Sequence, residues 1–374
     1  MKFISTRGQS PSLGFADILL AGSAPDGGLY VPETWPKLRN VDRAAWMPFA
    51  ANTEDLLKYF VGDDIDSIDL QEDIEAAFKT FTPNEVIPLR RLGRGRVLLE
   101  LFHGPTLAFK DVAMQLLGRF IARTLAKRKT RATIVAATSG DTGSAAIAAL
   151  RGIPNVQVVV LHPHNRVSEV QRRQMTTVLD DNVHNIALQG TFDDTQNIVK
   201  ALFADAEFSQ RHALAAVNSI NFARIAAQSA FYFNTSAYLL SEGAPSFVVP
   251  TGNFGDIFSG ETAARMGVPI KRLVIATNAN DIMARALNEG VYTAGAARQT
   301  LSPSMDIQVA SNFERALFEA SNRDATWVSR AMAEFAKTRS LKIPEPVLSA
   351  LRDRYSAASA DRKSTRLNSS HVKR

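Results

Sequence analysis

Between Arg131 and about Asp281 the chain alternates short apolar runs with helical patterns, and this alternation restricts its fold more than any other feature. "RATIVAAT" at 131–138 is a buried strand by its length and apolar content. "GSAAIAALRG" follows as a helix closed by Gly152 with Pro154 behind it, and "VQVVVLHP" is the next strand. In "SEVQRRQMTTVL", Ser168 and Gln171 have the spacing of a capping box. The strand "VHNIAL" comes next, then a helix over about 193–203 and a long helix over roughly 221–240. Beyond these lie the strand "PSFVVP", the turn "TGNFGD", a helix near 257–266, the strand "IKRLVIAT" and a helix from about Asp281. Strands apolar on both faces and separated by helices imply a mainly parallel sheet covered on both sides, an α/β core.

The first part of the chain lacks that rhythm. It carries the turn-rich "APDGGLYVP" and two helical stretches, "AAWMPFAANTEDLLKYFV" and "LQEDIEAAFKTF". Pro83 and Pro88 flank the change of pattern, which places a boundary near 85–92. A length of 374 residues suits two domains, or one domain of two lobes, and no repeat of fixed period is present.

Several function classes drop out. The chain has no cysteine and its six histidines form no HExxH pair, which removes thiolate zinc sites, cysteine nucleophiles and that metalloprotease motif. No apolar stretch approaches the length of a membrane span, and the start has no signal-like apolar region, so a cytoplasmic protein is expected. The net charge of +6 does not indicate nucleic acid: the last fourteen residues, "DRKSTRLNSSHVKR", supply +4 of it. The remaining "AKRKTR" at 126–131 is a solvated helix end. Asp361 to His371 can moreover be back-translated as a widely used DNA-sequencing adapter, so a non-native tail is expected over 361–374, with the native sequence stopping near Ala360.

Within "LFHGPTLAFKDVAMQLLGRF" a lysine lies between Phe109 and the first turn of an apolar helix, with Asp111 as a cap for that helix. The positive end of a helix and burial beside an aromatic ring both disfavour an ammonium, as they would for a lysine held neutral or bound as an imine. A lysine that snorkels to water or pairs with Asp111 gives the same local pattern. Two glycine-bearing turns between strand and helix, "ATSGDTGSAA" at 137–146 and "PTGNFGDIFSG" at 250–260, suit bound anions, although such turns also use glycine merely for backbone shape. The chain has no GxxxxGK[ST] and no GxSxG, and "GRGRVL" lacks the third glycine of a dinucleotide fingerprint. A lysine, a socket for a phosphate-bearing cofactor and a socket for an anionic substrate together describe a pyridoxal-phosphate site.

The segments "ELFHGPTLAFKDVA", "ATSGDTGSAA", "NSINFARI" and "PTGNFGD", with "DGGLYVPE" at 26–33, resemble the threonine synthases that carry a separate N-terminal domain. The resemblance runs from about Lys2 to Ala360. It implies an α/β fold of fold type II, tryptophan synthase beta-like, with two α/β lobes on parallel sheets and a small N-terminal domain. It divides the chain into 1–88, the N-terminal domain, and 89–360, the catalytic domain. The implied reaction converts O-phospho-L-homoserine and water to L-threonine and phosphate with pyridoxal 5′-phosphate. By the same resemblance Lys110 would hold the cofactor aldehyde and move protons, and Gly252, Asn253, Phe254, Gly255 and Asp256 would surround the cofactor phosphate. Asp256, unable to ligate a phosphate while ionised, is expected to cap the following helix. Ser139, Asp141 and Thr142 fall where relatives hold the substrate carboxylate and approach the cofactor 3′-hydroxyl. Aspartate at 141, where many fold-type II enzymes have asparagine, favours the threonine synthase branch. The substrate's own phosphate is left to Arg7, His103 or Arg224, with an HGPT-turn role for His103 and a salt bridge within its helix for Arg224 as the structural alternatives. Relatives continue beyond the equivalent of Ala360 with a hydroxyl residue expected at the pyridine nitrogen, and no segment here matches it. The competing functions are another fold-type II lyase, such as a threonine dehydratase or a phospho-lyase, and an inactive binder of phosphorylated metabolites. The expected partner is a small phosphorylated amino acid, with no nucleic acid or membrane and an undetermined oligomeric state.

Overall fold

The computed structural model describes residues 1–39, 41–82 and 85–359. The tail over 361–374 and Pro83 of the predicted boundary lie outside the described residues. At the start, strands β1 (Phe3–Ser5) and β2 (Tyr30–Pro32) pair antiparallel around helix α1 (Phe15–Ala21). Each strand is three residues long, too short for a period of two to show in the sequence, and the pair was not foreseen. Helices α2 (Phe49–Val61) and α3 (Ser67–Phe78) follow. Leu56, Leu57, Phe60 and Val61 of α2 are buried, and Asp66 caps α3 by accepting from Asp69 N at 2.9 Å. The antiparallel hairpin of β3 (Leu89–Gly93) and β4 (Arg96–Leu99) then leads to α4 (Lys110–Arg128).

The alternation now takes its place in space. β5 (Ala132–Ala137), α5 (Asp141–Leu150), β6 (Val156–Pro163), α6 (Glu169–Thr176), β7 (Val183–Leu188), α7 (Phe192–Ala204), α8 (Ala206–Arg211) and β8 (Leu214–Ala215) build a parallel four-stranded sheet in the order β7-β6-β5-β8. The capping box predicted for α6 is half formed. Ser168 Oγ accepts from Gln171 N at 3.3 Å, while the Gln171 amide oxygen takes the Ser168 hydroxyl instead of its backbone N–H. The long helix α9 (Phe222–Leu239) packs against α2, α4 and α10 (Gly255–Arg265), with strand β9 (Ser246–Pro250) between α9 and α10. After β10 (Arg272–Thr277) come α11 (Ile282–Glu289), β11 (Val291–Thr293), α12 (Phe313–Ala320), α13 (Ala325–Thr338), β12 (Ser340–Lys342), α14 (Glu345–Arg354) and β13 (Tyr355–Ser359). A second parallel sheet has the order β13-β10-β9, with Leu273 opposite Tyr355 and Phe247. These are the two α/β lobes on parallel sheets that the sequence implied, and one continuous apolar core joins them to the N-terminal segment.

Parallel strands direct their C-terminal ends to one side, and the loops leaving that side position ligands. β5 and β8 are neighbours, so the loop 138–140 that opens α5 lies beside the loop 216–221 that opens α9. α4 crosses α5 closely: a Cβ on Gly118 would overlap the carbonyl oxygen of Ala149. The N-terminal ends of α4, α5, α9 and α10 are thereby gathered in one region.

Candidate active site

Lys110 is the first residue of α4 and keeps 9% of its surface exposed. Its ammonium forms an ion pair with the Asp141 carboxylate, and its Nζ lies 4.8 Å from the centroid of the Phe109 ring. Two sequence expectations are corrected here. Asp111 neither caps α4 nor pairs with Lys110. It sits inside the first helical turn and its carboxylate accepts from Thr106 N at 2.8 Å and Thr106 Oγ1 at 2.7 Å, bracing the HGPT turn. Phe109 occupies the capping position without a side-chain bond. The lysine is also not left without a countercharge, because α5 brings Asp141 to it across the sheet edge. Burial pushes the Asp141 carboxyl up, but attraction and a hydrogen bond from Lys110, with a hydrogen bond from Ser304, outweigh it and hold Asp141 below the usual range.

Asp141 opens the first glycine turn. Thr138 Oγ1 accepts from Gly140 N at 3.0 Å and Gly143 N at 2.9 Å, which folds the turn back on itself. Gly140 has φ +144, and a Cβ there would overlap the amide of Gln171 on α6. The backbone conformation disfavours any other residue there, and a Cβ would also push the Gln171 amide aside. Ser139 and Thr142 sit half-buried on either side of Gly140 and Asp141 at the helix start.

In the second turn Phe254 adopts φ +64 at the capping position of α10, with its ring packed on Phe313 and Tyr355. The first helical N–H bond returns from Phe258 to Phe254 at 3.1 Å, so the N–H groups of residues 255–257 point out of the helix end. Asn253 is held by its carbonyl, which accepts from Asn312 N at 3.0 Å and Asn312 Nδ2 at 3.1 Å. Gly252 faces a short helical turn, Pro303–Met305: a Cβ on it would come within 2.8 Å of the Ser304 carbonyl oxygen. Asp256 does not cap the helix as expected. Its Oδ1 accepts from the Tyr232 hydroxyl at 2.9 Å, turning the carboxylate away from the helix end, and burial raises it to about 6 against the opposing pull of Tyr232 and Lys110.

Lys110 thus pairs with one glycine turn, and its charge draws downward the carboxyl of Asp256 in the other, which burial nonetheless keeps raised. Of the three cations named for a substrate phosphate, Arg7 is engaged twice by Glu314, through Nε at 3.0 Å and Nη2 at 2.9 Å. His103 Nε2 lies 2.9 Å from Glu100 Oε2 and its backbone oxygen takes Thr82 N. Arg224, predicted to form a salt bridge within its helix, forms none among the described residues; its Nη1 donates to Val217 O at 3.5 Å.

The family comparisons agree with this geometry. A model described as "Pyridoxal-phosphate dependent enzyme" matches residues 78–341, and one described as "Threonine synthase N terminus" matches residues 2–78. The threonine synthase of Pseudomonas aeruginosa is 50% identical over 92% of this chain and 74% of its own. The chain belongs to the threonine synthase family. Among solved structures of threonine synthases, the pyridoxal-phosphate-bound enzyme of Brucella melitensis superposes with a TM-score of 0.93 at 49% identity, covering 96% of this chain and 78% of that one. The yeast enzyme gives 0.90 at 37% identity, covering 97% and 77%.

The residues present fit the cofactor this family uses. A phosphate dianion needs free backbone N–H groups with no carboxylate facing it, and the start of α10 offers them while Asp256 is turned to Tyr232. An aldehyde needs a primary amine out of bulk water, and Lys110 supplies it. Sequence reasoning missed the residues that shape the site from outside the glycine turns: Thr138, Gln171, Tyr232 and Ser304. Thr138 stands inside the first glycine turn and Gln171 in the capping box of α6, but the approach of Gln171, Tyr232 and Ser304 to the site is fixed only by packing.

Proposed function

We propose that this member of the threonine synthase family converts O-phospho-L-homoserine and water to L-threonine and phosphate, with Lys110 as the residue that carries the cofactor and moves protons. The observation that supports this reading is one buried lysine paired with Asp141 of the first glycine turn, with Ser304 hydrogen-bonded to Asp141 and packed on Gly252 of the second. Pyridoxal phosphate, when bound, supplies an electron sink for charge developing at the substrate's α-carbon. The backbone at Gly252, Asn253, Phe254 and Gly255 would receive its phosphate, and Asp256, held by Tyr232, would fix the shape of that cradle without contributing a charge to it. Ser139 and Thr142 are assigned the substrate carboxylate. Asp141 cannot share that task while ionised; it is assigned the cofactor hydroxyl side and the holding of Lys110 in its charged form until the amine is needed. Released from Asp141, the Lys110 amine is placed to accept a proton at one substrate carbon and return it at another, as one group serving several steps.

The domain division at 88, with the catalytic part over 89–360, belongs to this proposal; it is supported by the β3–β4 hairpin that begins at Leu89. A cytoplasmic location is proposed with it. No helix among the described residues is long and apolar enough to cross a membrane. The test is product analysis of the purified, cofactor-loaded chain supplied with O-phospho-L-homoserine. Threonine and phosphate in equal amounts support the reading, whereas 2-ketobutyrate would assign a lyase, and binding without turnover would assign a phosphometabolite binder.

A further inference from the structure

A cavity of about 400 Å³ lies between α6 and the C-terminal ends of β6 and β7. The register of the two strands shows how it is built. Val160 is paired with Asn185 and His162 with Ala187, so these four side chains leave one face of the sheet. α6 covers that face and is fastened to it by Asn185 Nδ2, which donates to Met175 O at 2.9 Å. Above the small Ala187 the space stays open, and Glu169, Arg172 and Thr176 close it from one side of α6, spaced at three and four residues. Gln171 and Gln174 leave the other side of the helix: the amide of Gln171 lies against Gly140, and Gln174 Nε2 donates to Thr106 O at 3.0 Å. α6 therefore separates the cavity from the first glycine turn.

Two residues of the wall carry a buried polar atom with no hydrogen-bond partner among the described residues: Nδ1 of His162, itself 4% exposed, and Oδ1 of Asn185. Native proteins seldom leave such atoms bare. Because the Asn185 amide nitrogen is committed to Met175, its oxygen can only accept, so a ligand must bring an N–H or O–H to it. The mouth adds both signs of charge. Glu169 accepts from Arg172 Nε and Nη2 and from Arg173 Nε, each at 2.8 Å, and these guanidiniums hold its carboxyl down to about 2, so it stays ionised. A simple anion would face Glu169, and a simple cation would face the two arginines. A ligand with both charges a few ångströms apart meets each with its opposite. Pro163, Val167 and Ala187 make the rest of the wall apolar, which suits a short aliphatic side chain. The pair His162 and His164 does not mark a metal, since no group of three or more ligating side chains fit to hold one stands together among the described residues.

We propose that this cavity is a second ligand site, separate from Lys110, and that it takes a free α-amino acid as its zwitterion. The α-ammonium donates to Asn185 Oδ1 on the side of Glu169, and the carboxylate accepts from Arg172 and from the His162 ring, which has an N–H to give in either tautomer. Arg172 can turn to the ligand at small cost, because its fork on Glu169 is half exposed and such pairs contribute little. No bond is made or broken. Nothing in this assignment depends on the reaction proposed for Lys110.

The probe is L-valine, with isobutylamine and isovalerate as the same skeleton carrying one charge each. The full chain, loaded with cofactor and isotope-labelled in its histidine rings, is titrated and the ring signals are followed by NMR, assigned from single histidine replacements. Visible absorbance of the cofactor reports on the active site. L-Valine is expected to shift the His162 signal saturably while the His103 signal and the absorbance stay still. The single-charge analogues bind at least about tenfold more weakly, the scale of one charged hydrogen bond. Arg172→Gln, at the exposed rim, lowers L-valine affinity about tenfold and leaves isobutylamine within a factor of about two. Ala187→Phe fills the cavity and abolishes the shift with the absorbance unchanged. The absence of a saturable shift at His162, as a cavity holding water alone would give, overturns the proposal. So does an analogue that binds as tightly as L-valine, or a shift that survives Ala187→Phe. A His162 shift that appears only in step with His103 and the absorbance also overturns it, by placing the probe at Lys110. Should Ala187→Phe not fold, unchanged L-valine affinity in Arg172→Gln overturns the proposal by itself. A chain that gives the expected shifts but makes no threonine loses the proposed function and keeps this inference.

Discussion

At the scale of single residues, the site is organised by where charge is compensated. Lys110 has a carboxylate partner from another helix, so its amine is stored as a cation rather than left bare. Replacement Lys110→Ala is expected to abolish the visible absorbance of bound pyridoxal phosphate and to lower turnover by about a thousandfold, the usual scale for losing the acid–base group. A spectrum that persists in the variant would remove Lys110 from its role. Asp256 offers a second test. Its carboxyl is raised to about 6 in the folded chain against an ordinary value near 3.8, so the folded state holds a proton that the unfolded state has lost. That contribution is complete below about pH 4 and fades as the pH rises through about 6. Asp256→Asn keeps an acceptor for Tyr232 without the titration. Urea unfolding of the cofactor-free chain should then show wild type losing on the order of 2 kcal/mol between those limits, with the variant flat. Parallel profiles would refute the assignment.

At the scale of elements, the distance between α4 and α5 sets the distance between Lys110 and Asp141, since each helix begins with one member of the pair. Gly118 permits that distance: an added Cβ would collide with the Ala149 carbonyl, which is backbone and cannot swing aside. Gly118→Ala should cost about 2 kcal/mol of stability through overpacking, and should also weaken cofactor affinity by parting the two helix starts. Equilibrium unfolding and a cofactor titration read the two effects separately. A stable variant with normal affinity would show that the helices adjust independently of the site.

At the scale of the whole molecule, the N-terminal segment is fastened to the second lobe through a buried carboxylate. Glu314 of α12 is 4% exposed and accepts from Thr6 Oγ1 at 2.6 Å and from two nitrogens of Arg7. Arg7, considered for the substrate phosphate, is therefore a tie between regions some three hundred residues apart. Arg7→Ala leaves a buried charge unmet and should cost roughly 3 kcal/mol. Because one core cluster runs through both regions, the loss is expected as a single cooperative unfolding transition at lower urea concentration. Early melting of the N-terminal segment alone would show that it is an independent unit.

The pattern of the chain specified the α/β class, because strands apolar on both faces have only covered, mainly parallel arrangements open to them. It also put two helix starts within about two residues of Lys110 and Gly255, where the helices begin, and marked the two turns where glycine is needed for anion access or backbone shape. Those are local properties, settled by periodicity and by which residues tolerate a given φ. Partnership was not local. Asp111 stands beside Lys110 in sequence and turns to Thr106, while Asp141 reaches Lys110 from another helix. Asp256 binds Tyr232 instead of its own helix end, and Arg224 has the ordinary sequence setting of a salt-bridged helix residue yet is buried without one among the described residues. Which carboxylate meets which cation depends on the crossing of helices and the order of strands in a sheet. Only the packed molecule brings those groups within the few ångströms over which charge and hydrogen bonding act.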